Sequence, residues 1–454
     1  MAATESDTIY AKASGVGRAG IAVYRLSGPA VKAVCEALIG GQVKPRKALL
    51  RKISDSMTGH TIDHGIVIFF NGPNSFTGED VVEFHLHGGL GIENALYKAL
   101  AAHKCRPADA GEFTKRGLIN GKFDLTQIEG LADLLDAETE EQHRQAVEQH
   151  NGSISRKADL WKNALISALA PLESAIDFAD EEDVPQEIQE VAKPIIEKLI
   201  TDLRVHSQDA ERAETLRSGL KVAIIGAPNA GKSSLLNALA VAEKAIVSEI
   251  PGTTRDIVEA RINICGVPVT LFDTAGLRGE SNDPIEVKGM GLARSKAQEA
   301  HLRILVVDPF TERSVPRETR LLLKPGDIVL LNKNDLGDVE KDSLWHHQDK
   351  DEFLVLSISV NKGDGLDQLL ASLKRRTSDL AIPEADAPLT RDRHVRAVNA
   401  ATDHLQTALR RIQGDAELAA EDLRLASRAL SRITGDVDVE DILGEIFSSF
   451  CIGK

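Results

Sequence analysis

The sequence predicts an α/β plus all-α chain, with a nucleotide-binding α/β block set between two helical stretches. Three observations predict it. The apolar, β-branched run Leu220–Ile225 leads into Gly226-Ala-Pro-Asn-Ala-Gly-Lys-Ser-Ser234, and Ser234–Leu239 then reads as a helix start. Strand, glycine-rich loop and helix together are the setting of a phosphate loop. Helical periodicity begins near Leu125 and returns between Arg391 and Phe450, on either side of an α/β pattern at 217–378. Residues 1–120 alternate strand-like runs with Gly, Pro and Asn punctuation, which is a separate mixed α/β pattern.

Along the chain, Ile21–Leu26, Gly65–Phe70 and Val81–Leu86 read as strands, broken by Ser27-Gly-Pro-Ala30 and Asn71-Gly-Pro-Asn74. Ile128, Leu131, Leu134 and Leu135 then fall on one helical face, and Ala164–Ile176 continues the pattern. After the nucleotide block, Pro383 and Pro388 mark a linker. Leu405, Leu409 and Ile412, then Leu418, Leu423, Leu425 and Leu430, restore helical spacing. Helices before and after one α/β block imply a discontinuous helical domain with that block inserted.

The motifs name the nucleotide. Asn229, Ala230, Gly231, Lys232, Ser233 and Ser234 belong to the loop whose N–H groups and helix dipole cradle phosphates. Lys232 is expected on the β and γ phosphates and the Ser233 hydroxyl on Mg²⁺. Asp273-Thr274-Ala275-Gly276 follows the strand-like Val267–Phe272, which places a carboxylate for Mg²⁺ and a backbone N–H for the γ-phosphate. Asn332-Lys333-Asn-Asp335 follows Asp327–Leu331. A carboxylate there accepts both N1–H and the exocyclic amine of guanine, whereas adenine would leave it unpaired. Ser357 and Ser359 both suit the loop that backs the base, and the spacing to Gly363 favours Ser359. Between these motifs runs a switch segment whose residues Ser248, Glu249, Ile250, Pro251, Gly252, Thr253 and Thr254 are expected nucleotide contacts. Thr254 is its Mg²⁺ hydroxyl. Leu277 stands where many small GTPases place a water-orienting Gln, and no arginine is clearly dedicated to transition-state charge, Arg255 and Arg278 being the candidates. Asn229 is placed to offer its side-chain carbonyl to a monovalent cation. Glu280, Asp283 and Glu286 follow in one loop, and the E-x-x-G spacing to Gly289 favours Glu286 as the group that aligns water.

The chain has 454 residues and a formal charge of −15, which argues against a protein that coats nucleic acid. The charge is uneven. Residues 1–120 hold 14 Lys+Arg against 11 Asp+Glu, about +3, so the remainder carries −18. Any RNA contact is therefore expected on a local basic patch of the N-terminal part. Four widely spaced cysteines fit neither a metal site nor a disulfide framework, and no long apolar run or basic-then-apolar leader is present. A cytoplasmic location is the expectation.

The chain resembles the tRNA modification GTPases called MnmE or TrmE along its whole length. The resemblance is carried by Asp7-Thr-Ile9, Arg25-Leu-Ser-Gly28, Gly72-Pro-Asn-Ser-Phe-Thr-Gly-Glu-Asp80, His87-Gly-Gly89, Gly111-Glu-Phe-Thr114, Asn120-Gly-Lys122, Ala175-Ile-Asp-Phe178, the GTPase motifs and the terminal Cys451-Ile-Gly-Lys454. It implies an N-terminal folate-binding and dimerisation domain at 1–121, a discontinuous helical domain at 122–216 and 380–454, and an inserted Ras-like P-loop GTPase domain at 217–379. It also implies a homodimer working with an FAD-binding partner, MnmG (GidA), to place an aminomethyl or carboxymethylaminomethyl group on the wobble uridine of certain tRNAs. The one-carbon unit would come from a tetrahydrofolate derivative, and GTP hydrolysis would need Mg²⁺ and K⁺. Residue by residue, Arg25, Glu83, Lys122 and Lys454 match folate contacts. Asn229, Ser248, Ile250 and Thr253 match the K⁺ site, Ser233 and Thr254 the Mg²⁺ site, and Glu286 the water-activating glutamate. Cys451 matches the terminal cysteine, whose role is either chemical or positional. Ser248 stands where the family often has Thr, Ala110 where it usually has Pro, and the loop before Glu286 is one residue longer than the family pattern. The alternative expectation is a GTPase acting in ribosome assembly. Era-like proteins of that kind share the GTPase motifs but end in an RNA-binding module, and none is visible here.

Overall fold

The computed structural model describes residues 7–177, 184–243, 259–273, 294–312, 314–337, 353–383, 385–412, 414–437 and 453. They divide into two compact units, one drawn from 1–132, 150–163 and 427–454, the other from 133–149 and 164–426.

The first unit holds β1 (Ile9–Lys12), β2 (Ala19–Ser27), β3 (Leu49–Ser54), β4 (Thr61–Phe70), β5 (Val81–Gly88) and β6 (Arg106–Pro107), in the sheet order β3-β4-β5-β2-β1-β6. All neighbours are antiparallel except β1 and β6. Alternation decides the faces. Ala22, Tyr24 and Leu26 of β2, Val67 and Phe69 of β4, and Val82, Phe84 and Leu86 of β5 point inward. They pack on Val34, Cys35 and Leu38 of helix Val31–Ile39 and on Leu96, Ala99 and Leu100 of helix Leu90–Ala102. The alternate positions Arg25, Glu83 and His85 lie on the opposite face, half-buried. The three expected strands are present; β1, β3 and β6 were not anticipated.

The second unit contains β7 (Leu220–Gly226), β8 (Glu259–Ile264), β9 (Val267–Asp273), β10 (Leu302–Val307), β11 (Ile328–Leu331) and β12 (Leu354–Ser357), ordered β12-β11-β10-β7-β9-β8. Pairing is parallel apart from the β8–β9 hairpin. Val222 and Ile224 of β7 join one buried cluster, and Ala223 and Ile225 join another on the opposite face. A strand buried on both faces reads as an unbroken apolar run, which is why this block stands out in the sequence. The strand order reverses at β7, so the crevice beyond its carboxyl end is where such a sheet receives a ligand.

The helical elements of this unit include Val184–Ser218, which packs against both Leu366–Ala381 and Asp392–Arg411. In Asp392–Arg411, His394, Ala397, Val398, Ala401, Leu405 and Ala408 form the buried stripe of an amphipathic helix. The linker is tied down: the Ala385 N–H donates to Asp209 Oδ2 at 2.8 Å, and Thr390 Oγ1 donates to Gln149 Oε1 at 2.9 Å. Two expected apolar positions differ. Leu135 is 43% exposed although it shares the Ile128 face, because it sits in the last turn of Leu125–Asp136, and Leu418 is 48% exposed at the margin of the stripe that its neighbours bury. Among the described residues no helix is long and apolar enough to cross a membrane.

Candidate nucleotide-binding site

Three loops, following β7, β11 and β12, meet at the carboxyl edge of the second sheet, beside Asp273 at the end of β9. The loop after β7 enters helix Lys232–Ala242 through Gly231, whose φ of +108° is left-handed. A Cβ on Gly231 would stand 2.2 Å from Asn332 Nδ2, so only glycine lets these two loops close. Lys232 is buried, and its Nζ donates to the carbonyls of Gly226 at 3.0 Å and Ala227 at 2.8 Å. Burial pulls its pKa down, while Asp273 and Glu312 oppose that shift. A buried ammonium resting on two neutral carbonyls gains from an arriving polyanion.

The Ser233 hydroxyl donates to Asp273 Oδ2. Asp273 is buried, and its Oδ1 has no hydrogen-bond partner among the described residues. A hydroxyl touching a carboxylate that keeps an unsatisfied oxygen is a hard oxygen donor set, and it fits Mg²⁺ held in part through water.

Asn332 ties the loop after β7 to the loop after β12. Its Nδ2 donates to the Ala230 carbonyl at 2.7 Å, and its Oδ1 accepts from the Val360 N–H at 3.2 Å. Ser359 is buried, and its hydroxyl donates to Asp335 Oδ1 at 2.7 Å. That hydrogen bond holds the Asp335 carboxyl below the usual carboxylate range, ionised and fixed in direction. Lys333 adopts φ +68°, and its Nζ meets Asp308 Oδ2 at 2.6 Å. Asp308 was not anticipated. It closes the apolar run of β10 at the same sheet edge, and that position was the available signal. Burial pushes Asp308 up, but Lys333 and the Phe310 N–H bring it below its ordinary value.

Asn229 is exposed with φ +62°. Ser248, Glu249, Ile250, Pro251, Gly252, Thr253, Thr254, Thr274, Ala275, Gly276, Glu286, Cys451 and Lys454 lie outside the described residues.

In the first unit, Arg25 and Glu83 face each other across β2 and β5. Arg25 Nε and Nη2 donate to Glu83 Oε1 at 3.1 and 2.8 Å, and His85 Nε2 lies 3.3 Å from Oε2. The Arg25 guanidinium sits over Phe76 at 5.3 Å and Phe113 at 5.9 Å. Lys122 makes no ion pair with this couple among the described residues, and its backbone N–H donates to the Gly117 carbonyl at 2.8 Å. Gly453 is buried with φ +106°, and a Cβ there would stand 2.3 Å from the Lys12 carbonyl oxygen. Gly453 thus lies close against the end of β1.

Two family models match the chain: "GTP-binding protein TrmE N-terminus" over residues 8–122 and "MnmE helical domain" over residues 125–451. A relative from Maricaulis maris (strain MCS10) is 47% identical across 98% of this chain and 99% of its own, and one from Parvibaculum lavamentivorans is 47% identical across 99% and 100%. Both are described as tRNA modification GTPase MnmE. Among solved structures, Era in complex with MgGDPNP and nucleotides of 16S ribosomal RNA is 29% identical over 42% of this chain and 66% of that chain, at a TM-score of 0.29. The G domain of the T. maritima FeoB iron transporter is 26% identical over 34% and 97%, at 0.27. Overlap that slight places nothing; the full-length relatives and the family models place the chain.

Proposed function

The chain belongs to the MnmE family of tRNA modification GTPases, and on that premise we propose that its GTP hydrolysis serves the remodelling of the tRNA wobble uridine. The observation that supports the nucleotide half is the meeting of Lys232, Ser233, Asp273, Asn332 and Asp335 on one sheet edge, held by the Asn332 bridge. Asp335 orients guanine by accepting two N–H donors. Lys232 exchanges its two carbonyl partners for β and γ phosphate oxygens. Ser233 and Asp273, with Thr254, would hold Mg²⁺, which would supply positive charge to the phosphates. Asn229, with Ser248, Ile250 and Thr253, would hold K⁺ in place of a finger arginine, and Glu286 would align water in place of a glutamine.

The modification half rests on the family. Arg25, Glu83, Lys122 and Lys454 are assigned to a tetrahydrofolate one-carbon carrier. The Arg25–Glu83 ion pair gives this assignment a physical condition: the pterin amide edge must compete with Arg25 for Glu83. Cys451 is assigned to the modification chemistry, and FAD resides on the partner MnmG. We place the domain boundaries at 1–121, 122–216, 217–379 and 380–454, with dimerisation through 1–121 and work in the cytoplasm. The test is reconstitution of the full chain with the FAD-binding partner, methylene-tetrahydrofolate, GTP and unmodified tRNA, followed by mass analysis of nucleosides. A GTP-dependent mass gain on the wobble uridine is expected. GTP turnover with no modified uridine would overturn the reading.

A further inference from the structure

Residues 44–52 carry Lys44, Arg46, Lys47, Arg51 and Lys52, and no carboxylate occurs from Gly41 to Ser54. All five cations are exposed, and none forms an ion pair among the described residues. Three other arginines of residues 1–120 behave differently: Arg25, Arg106 and Arg116 are each paired with carboxylates, whereas Arg18 is exposed and forms no ion pair among the described residues. The fold concentrates the five charges. Among the described residues β3 is the outer strand of its sheet, bonded only to β4, so Arg51 and Lys52 stand along its outer edge and the preceding loop extends it.

The acids of the same hairpin do not neutralise this edge. Asp55 accepts from the Met57 N–H and the Thr58 hydroxyl, and Asp63 accepts from His64 and His87. Arg46 is held ready: its amide donates to the Phe69 carbonyl at 2.7 Å, its Nη2 to the Asn74 carbonyl at 2.6 Å, and its guanidinium lies 5.9 Å from the Phe70 ring. Five unpaired like charges within nine residues repel one another and collect counterions. A polyanion with charges a few ångströms apart relieves that repulsion and releases the counterions. On a chain of net charge −15 the ridge is a local exception, complementary to a phosphate backbone.

We propose that this cationic rim, Lys44 to Lys52, binds the sugar–phosphate backbone of the tRNA and positions it without reading its sequence. The proposal rests on the tRNA reading above. The test titrates the full chain with an unmodified tRNA transcript across a series of KCl concentrations. Lys44→Gln/Lys47→Gln/Arg51→Gln/Lys52→Gln leaves Arg46 and its anchoring hydrogen bonds in place. It should weaken binding about tenfold or more near 0.1 M salt, and flatten the plot of log affinity against log salt by roughly 0.7–0.9 for each phosphate that is no longer neutralised. The two half variants, Lys44→Gln/Lys47→Gln and Arg51→Gln/Lys52→Gln, should each flatten it by part of that amount. A control of similar charge, Lys32→Gln/Lys98→Gln/Lys104→Gln, should leave the slope as it is. An unchanged slope in the rim variants, with normal binding by the unmutated chain, overturns the rim and leaves the tRNA reading standing. Equal losses in rim and control variants also overturn the rim. An unmutated chain that neither binds the transcript nor supports uridine modification overturns both.

Discussion

Asp335 is the side chain proposed to set base choice. Its carboxylate is ionised and aimed by the Ser359 hydroxyl, so replacing it with an amide changes the donor pattern and little of the shape. Asp335→Asn should lose GTP affinity by about 100-fold or more and prefer xanthosine triphosphate, whose extra carbonyl accepts from the new amide. Competition binding with the two nucleotides checks this, and unchanged GTP affinity would contradict the pairing. The sequence left Ser357 and Ser359 as rivals separated only by spacing. What separates them physically is burial and contact, since Ser359 is enclosed and touches Asp335 whereas Ser357 is a half-buried β12 residue. Asn229 raises a different issue, because φ +62° is a conformation that Asn tolerates and Ala resists. Asn229→Gly therefore removes the amide without straining the loop. GTP hydrolysis by the unmutated chain should run faster in K⁺ than in Na⁺, and the Gly variant should lose that difference while keeping most of its nucleotide affinity. Equal rates in the two salts for the unmutated chain would remove the cation from the mechanism.

Elements buried on both faces were the easiest to read, because β7 and β9 leave apolar runs broken only by Lys221 and Thr270, and the expected strands there agree with the structure within a residue. β3 was missed for the opposite reason. Its Arg51 and Lys52 are solvent-facing edge residues that break the alternation. β6 was missed because two residues carry no period, and side chains hold it in place. Arg106 pairs with Asp7 and with Glu112, and Arg116 joins Asp7, Glu79 and Glu112, so helix Glu112–Ile119 is clamped beside β1 and β6. The Arg106 hydrogen bond lowers the Asp7 carboxyl. Burial would raise Glu112, but Arg106, the Asp109 N–H and Arg116 bring it below its ordinary value. Both folded values thus lie under the unfolded ones, near 4. The stabilisation is fully present above about pH 5 and is lost as pH falls through the folded values. Asp7 is half-exposed and contributes less, because water screens it. The thermal midpoint should be flat from about pH 5 to 7 and fall below about pH 4. Glu112→Gln should lower the midpoint at neutral pH and shrink the acid drop. A variant with the unmutated acid profile would show that the clamp contributes nothing.

At the scale of the whole molecule, the sequence disclosed the inserted α/β block because helical spacing stops before it and resumes after it. It did not disclose that Val184–Ser218 is one long helix, with Pro194 inside, against which the helices after the block pack. The long-range packing that stabilises that helix comes from residues far along the chain, in Leu366–Ala381 and Asp392–Arg411, and local pattern carries no trace of it. The block itself differs. Among the described residues, the buried members of its larger cluster run from Leu216 to Ala381 and those of its smaller one from Ala223 to Leu331. Apart from the packing of Val184–Ser218 on Leu366–Ala381, the links to the helical elements of the same unit are polar: Arg261 Nη1 meets Glu138 Oε1 at 2.6 Å, and Arg217 Nε donates to the Thr390 carbonyl at 3.0 Å. Hydrophobic burial is the dominant favourable term in folding, and partly exposed ion pairs add about 1 kcal/mol or less each. A fragment spanning residues 216–382 should therefore fold alone, unfold cooperatively, and bind guanine nucleotide in Mg²⁺ within about threefold of the full chain. Calorimetric unfolding and nucleotide titration measure both properties. A fragment that aggregates, or that loses nucleotide affinity by about two orders of magnitude, would show instead that the helical elements complete the block and that the apolar clusters alone do not make it a folding unit.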